Sequence, residues 1–194
     1  VTVARLEFRN VACLRGGRLL FEGLGFALGP GDAALVTGPN GIGKSSLLRL
    51  AAGLLQPAVG TVERDGGIAL ADENIALDPQ ASLGAAIAFW ARLDNGMDRV
   101  ASALDAMGLA RLASVPVRML STGQRKRATL ARVIASGAPI WLLDEPGNGL
   151  DAESIGRLEA AMAAHRAGGG LLLVASHQPL KLDGVRAISL GAAR

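Results

Sequence analysis

Tyrosine is absent, cysteine occurs once, and aromatic residues make up only 3% of the 194-residue chain. With so few rings, stacking platforms for single-stranded nucleic acid are scarce. The lone Cys13 can neither close an internal disulfide nor build a thiolate metal cluster, so it suits a reducing compartment and is expected to be a small core hydrophobe. A dominant charge is missing too: 20 Lys and Arg against 17 Asp and Glu leave +3, too little to argue for a polyanionic partner. Half the residues are hydrophobic and 19% are charged, which excludes intrinsic disorder. No apolar run reaches the roughly 18 residues of a membrane-spanning helix. Val1 to Arg5 open directly into strand-like alternation, without the charged and apolar regions of a signal peptide. There are no internal repeats, linkers or charge runs, and the length fits one domain with a sizeable core.

The pattern along the chain is α/β. Alternation over Val3–Asn10, then Leu19–Phe21 and Gly25–Leu28 across glycine turns, predicts a β-rich start, and Ala33–Thr37 is a short apolar strand. Leucines at helical spacing follow from Ser45 to Leu55. The stretch from about 75 to 137 reads as mainly helical, with segments near 82–93, 97–107 and 123–136. Buried strands return at Ile140–Leu143 and Leu171–Val174, separated by a helix near 152–167. A parallel core with a helical insert is expected.

Gly38-Pro39-Asn40-Gly41-Ile42-Gly43-Lys44-Ser45 fits G-x-x-x-x-G-K-S/T, directly after a buried strand and before an amphipathic helix, which is the context a phosphate-cradling loop requires. The glycines let backbone N–H groups curl around a phosphate, the helix start at Ser45 and Ser46 adds positive potential, Lys44 brings a cation, and the Ser45 hydroxyl can reach Mg²⁺. Such a loop needs an acidic strand end opposite it. Ile140-Trp141-Leu142-Leu143-Asp144-Glu145 supplies one, with Asp144 assigned to the Mg²⁺ shell, holding the ion through water, and Glu145 to activation of the attacking water. Ser121 and Gln124 form an S-x-x-Q capping box whose helix start is a second anion site.

Leu120-Ser121-Thr122-Gly123-Gln124, lying between the phosphate loop and the acidic strand, resembles the signature motif of ABC ATPases. The resemblance implies a P-loop NTPase core with a β-rich N-terminal subdomain and a helical signature subdomain near 75–137, all within one ATP-binding domain spanning 1–194. It implies ATP and Mg²⁺ as cofactors, and a head-to-tail sandwich dimer in which Ser121 and Gly123 complete the opposite subunit's site. Gly149-Leu150-Asp151 looks like the family's D-loop, and Val174–Gln178 like its switch segment, which makes His177 a phosphate sensor beside Glu145 and Lys44. His165 is read as solvent-exposed without a role, and Arg125-Lys126-Arg127 as a solvated face of the signature helix.

Two positions depart from the family. The nucleoside-stacking aromatic is missing, and Arg15 stands near its place, where a guanidinium could stack on adenine. The Q-loop glutamine is replaced by Asp72-Glu73-Asn74, with Gln80 too far along, so Glu73 or Asn74 is expected to sense metal and partner. Softer marks, including Arg15–Phe21, Ala76–Pro79 with Phe89-Trp90, and Ser176–Leu180, resemble the ATP-binding subunits of bacterial haem exporters in cytochrome c maturation. That implies a peripheral protein on the cytoplasmic face of the inner membrane, working with integral membrane permease subunits and not with nucleic acid. The segment Ala81–Ala91 could receive a coupling helix or be plain core. Other readings are the ATPase subunit of a different importer or exporter, a soluble non-transport ABC ATPase, and a P-loop kinase; the last would carry an arginine-rich lid where Leu120–Gln124 stands.

Overall fold

The computed structural model describes residues 3–191. Its first element is a long hairpin: Gly16 and Gly17, at φ 54° and 78°, turn Arg5–Arg15 (β1) back onto Arg18–Leu28 (β2) with Arg15 opposite Arg18. Both turn residues need positive φ to match the twist of the flanking strands, which is why two glycines stand there. The chain then enters Ala33–Thr37 (β3), the helix Lys44–Ala51 (α1), and the strands Val59–Asp65 (β4) and Ile68–Ala71 (β5). Helices Leu83–Leu93 (α2), Val100–Ala106 (α3) and Thr122–Ser136 (α4) follow, linked by short 3₁₀ turns. Ile140–Asp144 (β6), Ala152–Ala167 (α5), Leu171–Ala175 (β7) and Arg186–Ser189 (β8) complete it.

Two sheets result. The antiparallel one has the order β2-β1-β4, and the parallel one has the order β5-β6-β7-β3-β8. Strand alternation divides the parallel sheet's side chains between two cores. Ile140, Leu142, Leu171 and Leu173 pack with α1 and the hairpin, while Trp141, Leu143, Leu172 and Val174 pack against α2 to α5. β6 and β7 are covered on both faces, so they read as continuous apolar runs. Each large side chain fully buried there contributes about 1.5–3 kcal/mol.

Two strands lie beyond the apolar patterns. β4 exposes most of its residues (Val-Gly-Thr-Val-Glu-Arg-Asp) and is an edge strand on β1, and β8 exposes three of its four residues at the other sheet's edge. α1 starts at Lys44 and ends at Ala51, shorter than the leucine spacing to Leu55 predicts, because the chain turns at Gly53 with φ 76°.

The parallel order brings the C-terminal ends of β3, β6 and β7 side by side, with Val36 and Asp144 both opposite Ala175. Ligands of open parallel sheets bind at this edge.

Candidate nucleotide site

Gly38 leaves β3 at φ 143°, where an added Cβ would lie 2.8 Å from the Leu190 carbonyl oxygen. Gly43, at φ 114°, caps α1 with Leu20 and Phe21 only 3.2 Å from where a Cβ would stand. These two glycines are fixed by close approach as well as by conformation. The loop they shape delivers Lys44 almost fully inside, 7% exposed, with Nζ donating to the carbonyls of Gly38 (2.9 Å) and Pro39 (3.3 Å) and lying 2.6 Å from His177 Nε2.

Asp144 ends β6, and Glu145 follows with φ 46°, a left-handed conformation uncommon for a side chain of this size. Its N–H donates to the Ala175 carbonyl (2.8 Å), which pins the turn to β7. His177, just beyond β7, donates its backbone N–H to Glu145 Oε2 (3.2 Å), while its ring Nε2 stands 2.6 Å from Asn40 Oδ1 and 3.5 Å from Glu145 Oε1. Leu20, Asn40, Gly41, Gly43, Lys44, Ser45, Ser46, Asp144 and Glu145 line a cavity of about 250 Å³.

The residues suit magnesium. Glu145 Oε1 is buried without a hydrogen-bond partner, and the Ser45 hydroxyl and Asp144 carboxylate share its cavity, so a metal-bound water has an acceptor waiting. Among the described residues no three His, Cys, Asp or Glu cluster as a protein-only metal cage. The remaining ligands would be phosphate oxygens and water, the usual coordination of Mg²⁺ beside a nucleotide.

Other expected site residues lie apart. Ser121 caps α4 in a complete capping box: its Oγ accepts from Gln124 N–H (3.3 Å) and its N–H donates to Gln124 Oε1 (2.8 Å). This leaves the Gly123 turn beside Gly149, whose carbonyl would be 3.5 Å from a Cβ at Gly123. Asp151 caps α5 by accepting from Ser154 N–H (2.8 Å), and that hydrogen bonding holds its carboxyl below the ordinary range. Neither this group nor Arg15, exposed at the end of β1, lines the cavity. Glu73 is 85% exposed and sits 3.8 Å from Arg49, while Asn74 turns its amide onto Asp72. Asp72 is the inward acid of this segment, only 18% exposed and 4.0 Å from Arg49.

Two readings of basic side chains change. His165 is half-buried, its ring stacked on Trp141 at 3.9 Å and 12°, with the Leu171 carbonyl 3.3 Å from Nε2. Burial pushes its pKa down against the opposing pull of the Leu171 and Pro139 carbonyls. Arg125-Lys126-Arg127 is half-buried instead of solvated. Arg127 donates to the Met107 carbonyl (2.9 Å), and Lys126 Nζ reaches the Asp144 carbonyl (3.5 Å). Burial lowers the pKa of Lys126 and the charges of Asp144, Glu145 and Asp72 counter that shift. The spacing of Lys126 from Ser121 places it on the first turns of α4, but only the packing of α4 against β5 and β6 shows where it points.

A second concavity of about 530 Å³ opens on the helical side, lined by Ala76, Asp78, Ala81, Ala85, Phe89 and Trp90 among others. Trp90 is fixed by donation from its indole N–H to the Ala76 carbonyl and by the Arg132 guanidinium 5.4 Å from its ring, while Phe89 stays 56% exposed. Among the described residues no helix is long and apolar enough to cross a membrane.

The family model described as ABC transporter matches residues 21–148. The cytochrome c biogenesis ATP-binding export protein CcmA of Sphingopyxis alaskensis is 57% identical over 190 residues, covering 96% of each chain. The protein of the same name from Zymomonas mobilis is 52% identical, covering 96% of this chain and 85% of its own. A metal-chelate type ABC transporter solved in an inward-facing conformation superposes with a TM-score of 0.80 at 26% identity, over 97% of this chain and 80% of the other. An ABC ATP-binding protein from Pyrococcus furiosus reaches 0.83 at 22% identity, covering 96% and 97%, and shares the fold. With the loop, acidic strand end and capped signature helix in place, the chain belongs to the ABC transporter ATP-binding family, in its CcmA group.

Proposed function

We propose that this ABC ATPase couples ATP hydrolysis to haem export, or to release of a haem chaperone, in c-type cytochrome biogenesis. The observation that carries the chemistry is the meeting of Lys44, Ser45, Asp144 and Glu145 around one cavity, with His177 against Lys44 and Glu145. The names of the most similar relatives support the biological setting.

In this reading the backbone N–H groups of Gly41 to Ser46 receive the phosphates, and Lys44 leaves its loop carbonyls to meet them. Magnesium, held by Ser45 and through water by Asp144, supplies counter-charge when bound. Glu145 accepts a proton from the attacking water, and the His177 N–H fixes its carboxylate. Ser121 and Gly123 act on the opposing subunit's nucleotide in a sandwich dimer, with Gln124 holding the cap and Asp151 the neighbouring turn. Arg15 flanks the adenine. Glu73 or Asn74 senses metal and partner, a role that fails if replacing each by alanine leaves partner-stimulated hydrolysis intact.

The whole chain acts as one ATP-binding domain, with residues near 75–137 as its helical subdomain. Integral membrane permease subunits dock at the Phe89-Trp90 groove, which holds the chain peripherally at the cytoplasmic face of the inner membrane. The test joins membrane-partner co-purification with cytochrome assembly in a Glu145→Gln strain. Loss of covalent haem cytochromes is expected, and normal cytochromes together with an unrelated transporter partner would overturn the haem role while leaving the ATPase.

A further inference from the structure

The chain carries seventeen arginines and only three lysines, Lys44, Lys126 and Lys181. Lys44 is spent on the phosphate loop, which leaves Lys126 as the one lysine on the signature helix. Its ammonium is half-buried, with a single long hydrogen bond to the Asp144 carbonyl (3.5 Å). Among the described residues it makes no ion pair within 4.0 Å, and the charges of Asp144, Glu145 and Asp72 act on it from farther off. A cation held at the end of β6 by one marginal hydrogen bond is poised there by field, not locked by geometry. An arginine would engage a carboxylate with its planar fork, whereas a lysine's flexible stem can withdraw.

We propose that Lys126 is the counter-charge of the acidic strand end when no metal is bound, and that its ammonium competes with Mg²⁺ for that end. This rests on the reading above that Asp144 holds the metal. The sign follows from electrostatics: a dication arriving at Asp144 meets repulsion from Lys126, and the attraction that kept Lys126 inward is weakened. Lys126 is therefore a positioning residue: metal loading at the phosphate site releases its ammonium from the acidic strand end. Arg49 beside Asp72 keeps that acid neutralised from the α1 side, which leaves the Asp144 end as the part of the cluster Lys126 governs.

The experiment measures Mn²⁺ binding by electron paramagnetic resonance to purified chain saturated with ADP, comparing wild type with Lys126→Met, Lys126→Arg and Asp144→Asn. Lys126→Met should bind Mn²⁺ roughly three- to tenfold tighter. Lys126→Arg, whose fork holds the acidic end and does not withdraw, should bind Mn²⁺ no tighter than wild type, and ADP affinity in EDTA should not rise in either. A packing defect would weaken metal and nucleotide together, so tighter metal with unimproved nucleotide separates charge from structure. Unchanged or weaker Mn²⁺ binding in Lys126→Met, or equal tightening in Lys126→Arg, overturns the proposal. Asp144→Asn that binds Mn²⁺ like wild type overturns instead the reading of Asp144 as a metal holder.

Wild-type protein gives a second measurement that needs no substitution. Acetic anhydride labelling, read by mass spectrometry at the three lysines, should rise severalfold at Lys126 when Mg²⁺ is added to the ADP complex in place of EDTA. Labelling that is unchanged or reduced overturns the competition.

Discussion

The parallel sheet carries a histidine at each end, and the two do opposite work. At the C-terminal edge His177 sits 2.6 Å from both Lys44 Nζ and Asn40 Oδ1, with 43% of its side chain exposed. At the N-terminal edge His165 lies flat on Trp141 and meets the Leu171 carbonyl. The first ring is surrounded by charged and polar atoms beside an open cavity, while the second is packed like an apolar plate. One end of the sheet thus sets its ring among charged and polar atoms, and the other stacks its ring on Trp141 at the wall of a cavity of about 470 Å³. The difference teaches that a residue type says little until its neighbours are known, and it divides the chain into positions that should change activity and positions that should change stability.

The sharpest break of that division is at Glu145. Replacing it by Gln keeps shape and burial but removes the base, so hydrolysis should fall about 10²- to 10⁴-fold while nucleotide affinity stays within a few fold. Phosphate release and fluorescent-nucleotide titration check it. Equal losses in binding and turnover would mean that Glu145 holds the site together instead of acting on water. His177→Ala should come next, lowering hydrolysis about tenfold to a hundredfold, with stability changed by less than about 1 kcal/mol because its contacts are half in solvent. Urea unfolding and turnover measured on the same preparation decide it.

At the opposite end the order should invert. His165→Ala should leave turnover per folded molecule unchanged and cost about 1–3 kcal/mol of stability, the range for losing a packed ring and its stack. Gly170 offers an independent way to the same loss, since a Cβ there would lie 2.2 Å from the His165 ring. Gly170→Ala must therefore displace the ring, and the double substitution should cost about as much as either single one. Additive losses in urea unfolding would show that Gly170 serves something other than the stack.

How far these two ends could be read beforehand also differs. The phosphate loop, the acidic strand end and the capping box each lie within a few consecutive residues, so their chemistry is visible in sequence before any packing is known. The buried strands β3, β6 and β7 are legible for the same reason, as unbroken apolar runs. What escapes depends on contacts between distant segments. His165 on α5 needs Trp141 from β6, Lys126 needs the end of β6, and Asp72, not its neighbours Glu73 and Asn74, turns inward toward Arg49 of α1. β4 and β8 escape because an exposed edge strand has no apolar face to signal it.

The smallest expected effect is a pH dependence that belongs to one histidine and tests directly whether the stacked ring is kept neutral. Burial lowers the pKa of His165 in the folded chain, while in the unfolded chain it titrates near the ordinary value of about 6.5. The folded state therefore prefers the neutral ring. Its contribution to stability is complete above about pH 6.5 and is lost as pH falls through the depressed folded value, because the unfolded chain takes up the proton first. Urea midpoints of wild type should drop between pH 7.5 and 5.5 by more than those of His165→Gln, which lacks the titrating ring. If both proteins lose stability in parallel, the ring at the N-terminal edge accepts a proton in the folded chain as readily as in the unfolded one, and the contrast between the sheet's two ends rests on position alone.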